Sequence, residues 1–91
     1  MLVDLLKFKT KDGDAAEALM KDQAVTSRGD EGCIFAHAFR SKDNPGELYL
    51  LMSWENRESV EKHFQTEHDI SFREKLDPLL EGPPEFFELI V

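Results

Sequence analysis

The first apolar stretch of the chain has the composition of a β-strand. Residues 2 to 9 are rich in Leu, Val and Phe, with polar Asp4 and Lys7 between them. The polar run at residues 11 to 14 contains a glycine and is typical of a turn. We therefore predict a first strand that ends in this turn.

The next segment changes from strand-like to helical spacing. From Asp14 onward apolar residues recur every three or four positions, with one gap at Gln23. Asp14 and Glu17 have the spacing of a capping box, with Asp in place of Ser or Thr. Gly29 is a suitable residue to end this predicted helix.

Residues 33 to 40 and 47 to 55 predict a β-hairpin, because Asp43-Asn44-Pro45-Gly46 between them is a strong turn signal. In the second run, a period of two places apolar residues on both faces. One face carries Leu48, Leu50, Met52 and Trp54, and the other carries Tyr49, Leu51 and Ser53. We expect both faces of this strand to be largely buried.

Two helical stretches and a last strand complete the chain. Asn56 can cap the first helix and Asp69 the second, and Pro78 strains or ends the second. The apolar stripes are Val60, His63, Phe64 and Glu67 in the first helix, and Phe72, Leu76, Leu79 and Leu80 in the second. After a Gly-Pro-Pro sequence, residues 86 to 91 predict a strongly apolar strand.

The predicted order β-α-β-β-α-β is the split βαβ arrangement of α+β, ferredoxin-like domains, with an antiparallel sheet and helices on one face. Residues 1–91 fit a single domain, and a chain of this size hides only roughly 60 to 65% of its unfolded surface. A sheet face without helices needs another cover, so we expect a homodimer.

Composition narrows the classes of partner. The chain has 11 basic and 19 acidic residues, a net charge of −8, and its basic residues are scattered singly. Nucleic acid and anionic lipid are therefore not expected as partners, and the apolar runs fall far short of the ~20 residues that span a bilayer. Asp4 interrupts the first apolar stretch, which argues against a secretion signal and favours a cytoplasmic protein. Cys33 is the single cysteine, which excludes an internal disulfide and a multi-cysteine metal site.

Several motifs are similar to those of the antibiotic biosynthesis monooxygenase family. They are Asp30-Glu31-Gly32-Cys33, the turn at residues 43 to 46, Ser53-Trp54-Glu55-Asn56, His63, Glu67-His68, Phe72, Leu79-Leu80 and Gly82-Pro83-Pro84-Glu85. The resemblance spans nearly the whole chain. A Gly-Cys pair that enters strand two, a Trp that ends strand three and two later helical His residues occur in the order found in the family.

The resemblance implies a dimeric α/β barrel in which two sheets face each other and each monomer has a pocket between its sheet and its helices. Some members oxidise phenols, quinols or anthrones with O₂ and no cofactor, because the deprotonated substrate can itself pass an electron to oxygen. Such a protein contributes an apolar cavity, a base and hydrogen bonds to the developing oxyanion. We therefore expect a cofactor-independent monooxygenase for a small aromatic, phenolic or quinol-like compound.

Trp54 and His63 are the predicted catalytic residues. Trp54 offers an apolar wall and one N–H donor to orient the substrate, although it could instead be a core residue that closes the sheet. His63 lies on the apolar stripe of its helix and can face the pocket as a neutral base, although it could instead bond a backbone carbonyl. The predicted substrate-binding residues are Leu48, Leu50, Met52, Phe64, His68 and Phe72.

The remaining histidines have structural interpretations. His68 lies beside Glu67 and Asp69, which favours a protonated ring in a structural bridge. His37 on strand two is expected to face the dimer interior instead of the pocket. On a continuous helix the rings of His63 and His68 would point roughly 140° apart, so we predict no metal site.

Two departures from the family pattern leave alternatives open. Haem-degrading relatives use an Asn in strand one, which is missing here, and Leu50 and Met52 stand where other members have a polar residue. A non-catalytic dimeric module that binds a small apolar metabolite is one alternative. An isomerase of a small carbonyl signal molecule is another.

Overall fold

The computed structural model describes residues 1–90, and its elements follow the predicted order. The strands are β1 (Leu2–Lys9), β2 (Cys33–Arg40), β3 (Glu47–Trp54) and β4 (Glu85–Ile90). The helices are α1 (Gly13–Ser27), α2 (Arg57–Phe64) and α3 (Glu67–Leu76), with a 3₁₀ turn at Asp77–Leu79 after α3. Val91, which we assigned to the last strand, lies outside the described residues.

The four strands form one antiparallel sheet in the order β2-β3-β1-β4. The two central strands, β1 and β3, pair along their full lengths, from Leu2 opposite Trp54 to Lys9 opposite Glu47. Together with the helices on one side, this sheet confirms the predicted α+β, ferredoxin-like fold. Within residues 1–90, no helix combines the length and apolarity needed to cross a membrane.

The helix caps agree only in part with the predicted ones. Asn56 caps α2, where its side chain accepts a hydrogen bond of 2.9 Å from the backbone N–H three residues later. The cap of α1 is Asp12 and not Asp14, and the cap of α3 is Thr66 and not Asp69. Asp14 and Asp69 instead lie inside the first turns of these helices.

The two faces of the sheet differ in their cover. The inner face packs on the helices, and its β3 residues Leu48, Leu50, Met52 and Trp54 are buried. The outer face carries apolar side chains without cover, including Phe39 (51% exposed), Phe87 (47%) and Leu89 (48%). In the single chain, the expectation that both faces of β3 are largely buried holds only in part for the outer face, where Ser53 is buried but Tyr49 and Leu51 are half-buried.

Gly32 holds the turn before β2 against α2. Its φ is 81°, in the left-handed region that favours glycine. A Cβ at this position would collide with the side chain of Ser59 on α2. The close approach brings Asp30, two residues earlier, next to His63 on α2.

Candidate functional site

An apolar cavity of about 210 Å³ lies between the inner face of the sheet and α3. Four of the substrate-binding candidates, Leu50, Met52, Phe64 and Phe72, line it. Asp69 also lines the cavity and is only 5% exposed, so it is a buried ionisable group of the wall.

Two other substrate-binding candidates lie elsewhere. Leu48 is fully buried in the core and borders a separate cavity beside Phe39 and Arg40. His68 borders a polar cleft between α1 and α3. The cavity therefore differs from the predicted pocket in two of its six proposed wall residues.

Trp54 and His63 lie behind the cavity wall and do not line the cavity. Trp54 ends β3 with no exposed surface, and His63 on α2 is 1% exposed. Their rings pack together, with centroids 4.7 Å apart and planes inclined by 40°. Trp54 thus fixes the imidazole of His63 in place by direct contact.

Carboxylates approach both ring nitrogens of His63. Nδ1 lies 2.7 Å from Oδ2 of Asp30, in a hydrogen bond between α2 and the turn before β2. Nε2 lies 3.3 Å from Oδ1 of Asp69, although this contact is not aligned as a hydrogen bond. His63 is therefore bonded to side chains and not to a backbone carbonyl, and it touches a residue that lines the cavity.

The charge state of His63 depends on its burial and on the two neighbouring carboxylates. Burial lowers the pKa of its imidazole, but the nearby carboxylates of Asp69 and Asp30 outweigh burial and raise the pKa above the ordinary 6.5. These neighbours therefore favour the charged form at pH 6.5 and below, and the role of His63 as a neutral base stays a prediction for higher pH. The ring can act as a base only above its raised pKa.

His68 and Gln23 close this arrangement into a ring of polar contacts. His68 Nε2 lies 2.8 Å from Oδ2 of Asp30, and its Nδ1 lies 3.1 Å from Oε1 of Gln23. The amide of Gln23 then donates to Oδ1 of Asp69 at 3.0 Å. The polar ring, defined as Gln23, His68, Asp30, His63 and Asp69, thus joins α1, the turn before β2, α2 and α3.

The two imidazoles are close together, so the geometric argument against a metal was wrong. Their centroids are 5.5 Å apart because the chain breaks the helix at residues 65 and 66. The ligand atoms of Asp30, His63 and His68 all lie within 4.8 Å of one another. Their N–O distances of 2.7 and 2.8 Å are those of hydrogen bonds, which already satisfy these atoms. The absence of a metal remains a prediction.

Asp4 is a second buried acid near Trp54. It faces inward from β1 with no exposed surface, and neither carboxylate oxygen has a hydrogen-bond partner among residues 1–90. Burial raises the pKa of Asp4, while the charges of His63 and Arg57 and the N–H of Trp54 oppose this shift. The indole N–H falls short of hydrogen-bond geometry, so it too has no partner.

His37 lies on the opposite face of the sheet. It pairs with Leu51 on the outer face and is exposed, with Arg28 3.3 Å from its Nδ1. Its ring stacks on Phe35 at a centroid distance of 5.8 Å. This placement separates it from the cavity, as the sequence led us to expect.

Sequence reasoning did not assign a site role to Gln23, Asp30, Asp69 or Asp4. Two of them left a signal, since Gln23 interrupts the apolar stripe of α1 and Asp4 shares the inward period of β1 with Leu6. Asp30 belongs to a family motif and Asp69 lies beside His68 in sequence, but neither pattern indicates their contacts, because the partners are 33 or more residues away along the chain or in another helix.

Comparison with protein families finds one match, to the model described as "Antibiotic biosynthesis monooxygenase", over residues 1–75. No curated protein matches the sequence.

Solved structures share the fold at low sequence identity. A putative antibiotic biosynthesis monooxygenase from Nitrosomonas europaea superposes with a TM-score of 0.95 at 17% identity, over 100% of this chain and 98% of the other. A protein from Mycobacterium tuberculosis gives 0.90 at 24% identity, over 99% and 93%. A putative antibiotic biosynthesis monooxygenase from Deinococcus radiodurans gives 0.89 at 16% identity, over 100% and 92%. At these identities the likeness concerns the fold alone.

Proposed function

The chain belongs to the antibiotic biosynthesis monooxygenase family, and we propose that it oxidises a small phenolic or quinol-like compound with O₂ and without a bound cofactor. The observation that carries this proposal is the apolar cavity whose wall contains a buried carboxylate, Asp69, in contact with His63. An apolar cavity accepts an aromatic ring, and a buried carboxylate can take the proton of its hydroxyl.

The size of the cavity favours a small substrate. Its volume is about 210 Å³, whereas an apolar cavity of roughly 150 Å³ can hold benzene and drug-sized ligands need roughly 300 Å³ or more. One aromatic ring with small substituents is the expected occupant. Phe64 and Phe72 supply aromatic surface for it.

Proton removal is assigned to Asp69 and His63 acting together. Above the raised pKa of His63, the lone pair of its Nε2 faces the Asp69 carboxylate, and a proton shared between them relieves that repulsion. The substrate hydroxyl donates its proton to Asp69, and the pair retains it. Trp54 packs on the imidazole and holds it in the orientation that this transfer needs. Arg73, with Nε 3.0 Å from Oδ2 of Asp69, adds positive charge at the rim that favours the phenolate.

The oxidation then needs no reactant other than the substrate and O₂. The phenolate passes one electron to O₂, and the resulting radical pair combines to form a C–O bond and a hydroperoxide. The O–O bond breaks, one oxygen stays on the ring as a quinone carbonyl, and the other leaves as water. The two hydrogens of that water come from the hydroxyl and from the ring carbon that was attacked.

We also propose that the protein is a homodimer, formed by the outer faces of two sheets. Support comes from the uncovered apolar side chains there, since exposed apolar area of this kind marks interfaces or aggregation sites. The dimer leaves the cavity accessible, because the cavity opens on the other side of the sheet.

Oxygen uptake with a panel of single-ring phenols and hydroquinones tests the activity. We expect uptake with at least one compound, and a loss of roughly 10² to 10⁴-fold in turnover for Asp69→Asn, the usual worth of a positioned proton acceptor. Glu74→Gln removes an exposed acid of the same helix and should leave turnover unchanged. Binding without oxygen uptake would favour a binding module, and oxygen-independent conversion of a carbonyl compound would favour an isomerase.

A further inference from the structure

A polar cleft of about 110 Å³ lies between α1 and α3, on the far side of Phe72 from the apolar cavity. Gln23 and His68 form part of its wall. Phe72 borders both spaces and separates them. The polar ring therefore reaches the apolar cavity at Asp69 and the polar cleft at His68 and Gln23.

The two ends of the polar ring differ in exposure to solvent. The side chain of His63 has no exposed surface, and that of Asp69 is 7% exposed. The side chains of Asp30 and His68 are 17% and 23% exposed. A proton held by His63 has no direct contact with bulk water, but Asp30 and His68 do.

The hydrogen-bond partners fix where protons lie in the ring. Ionised Asp69 can only accept, so the NH₂ of Gln23 faces it and the amide oxygen faces His68. His68 must then carry a hydrogen on Nδ1. Its Nε2 faces a carboxylate oxygen of Asp30 at 2.8 Å, a hydrogen-bond distance across which a proton can pass.

From this geometry we propose that Asp30 and His68 form the solvent end of a proton relay that empties and refills the Asp69–His63 pair. The proposal rests on the function proposed above. When Asp69 passes the substrate proton to Nε2 of His63, the proton on Nδ1 moves to Asp30 across 2.7 Å. Asp30 and His68 then exchange it with water, and the reverse sequence returns a proton for the departing water molecule.

Each step moves one proton between neighbouring atoms and does not change the net charge of the buried imidazole. His63 gains a proton on one nitrogen as it loses one from the other, so the fully buried ring keeps its net charge. Gln23 carries no transferable proton and serves to hold His68 and Asp69 in place. Asp30 and His68 are therefore positioning and relay residues and do not touch the substrate.

The first test needs no substrate. Nuclear magnetic resonance of ¹⁵N-histidine-labelled protein reports the titration of His63 and the exchange of its ring hydrogens with water. We expect Asp30→Asn to lower the pH at which His63 titrates, because the opposing charge is lost. His68→Gln can still donate to Asp30 but cannot carry a proton, so it should slow the exchange of the His63 hydrogens.

Matched variants separate a relay from a general structural effect. Glu31→Gln changes the neighbouring, exposed acid, which pairs only loosely with Lys62 at 3.7 Å, and it should alter neither readout. Asp30→Glu restores the carboxylate and should restore the titration of His63. Unchanged titration in Asp30→Asn together with unchanged exchange in His68→Gln would overturn the relay.

The second test uses any substrate that the protein oxidises. His68→Gln should lower kcat by roughly 10²-fold, leave KM unchanged and increase the solvent deuterium isotope effect, because proton transfer becomes limiting. An unaltered kcat would overturn the relay even if oxidation occurs. If no phenol is oxidised but the resonance results hold, the proposed activity fails and the relay stands as a route for protons to Asp69.

Discussion

The two faces of the sheet carry similar apolar side chains but differ in how these are covered. The inner face packs Leu48, Leu50 and Met52 against the helices, and the polar ring lies beside its apolar cavity. The outer face carries Phe39 and Phe87 in the open, with His37 among the aromatic residues. The inner face is covered within one chain, whereas the outer face is exposed.

Because of this difference, polar residues have different environments on the two sides of the sheet. In the single chain, His37 on the outer face is exposed and lies beside an arginine. His63 on α2, which packs on the inner side of the sheet, can be buried only because carboxylates approach both of its nitrogens. Chemistry is therefore expected on the inner face and assembly on the outer one.

The largest effect is expected from removing the strand that both faces share. A chain cut before Phe86 loses almost all of β4, which pairs with central strand β1 along its length. It should be insoluble, because β1 becomes a bare edge and the outer face loses Phe87 and Leu89. Expression followed by sedimentation and circular dichroism measures this, and a soluble, folded truncation would contradict it.

The next largest effect concerns the inner face alone. His63→Ala should lower turnover by roughly 10² to 10⁴-fold, because the Asp69–His63 pair can no longer retain the substrate proton. Light scattering should still report twice the chain mass, since the outer face is untouched. Full activity in this variant would remove His63 from the mechanism and leave Asp69 to act alone.

The converse substitution changes only the outer face. Leu51→Lys places a charge at the centre of that face and should weaken the proposed dimer by about 2 kcal/mol or more, the worth of a central interface residue. Val25→Lys is the matched control, because Val25 is an equally apolar side chain that is 60% exposed on α1. Sedimentation across a concentration series reports the dissociation constant, and equal values for both variants would place the interface elsewhere.

Most of the fold could be predicted from the sequence because its signals are local. Strand-like composition between turn signals predicted the bounds of β1 and β3 to within one residue, and the turn at residues 43 to 46 predicted the hairpin. Caps were predicted less well, since Asp12 and Asp14 both precede the apolar stripe of α1 and differ by two residues only.

The candidate site could be predicted only in part because its contacts are distant in sequence. His63 was recognised, but its partners Asp30 and Asp69 are set by the glycine turn before β2 and by the break between α2 and α3. On a continuous helix the rings of His63 and His68 would point apart, whereas the break of two residues places their centroids 5.5 Å from each other. Local periodicity contains no information on such a break.

The smallest effect expected is one on stability, from Asp4→Asn on the inner face. Asp4 has no exposed surface and, in the part of the chain that the structure describes, no hydrogen-bond partner for either oxygen, so ionisation in the folded protein is costly. Its folded pKa is raised above 3.8, and the associated stability is therefore present below pH 3.8 and lost as the pH rises through the folded pKa. Asn keeps the shape and cannot ionise, so it avoids that loss.

The Asp4→Asn variant should accordingly exceed the native protein in free energy of unfolding at neutral pH by about 1 to 2 kcal/mol, near the low end of the cost of an unpaired buried group. Near pH 3.8 the difference should nearly vanish, because native Asp4 is then protonated in the fold. The contribution of His63 to the free energy of unfolding is also lost as the pH rises from 6.5 through the raised pKa of its imidazole, but this loss occurs in both proteins. Urea unfolding at the two pH values measures the difference, with exposed Asp77→Asn as the control. A gain that is as large near pH 3.8 as at neutral pH would show that Asp4 destabilises the inner face through its packing and not through its charge.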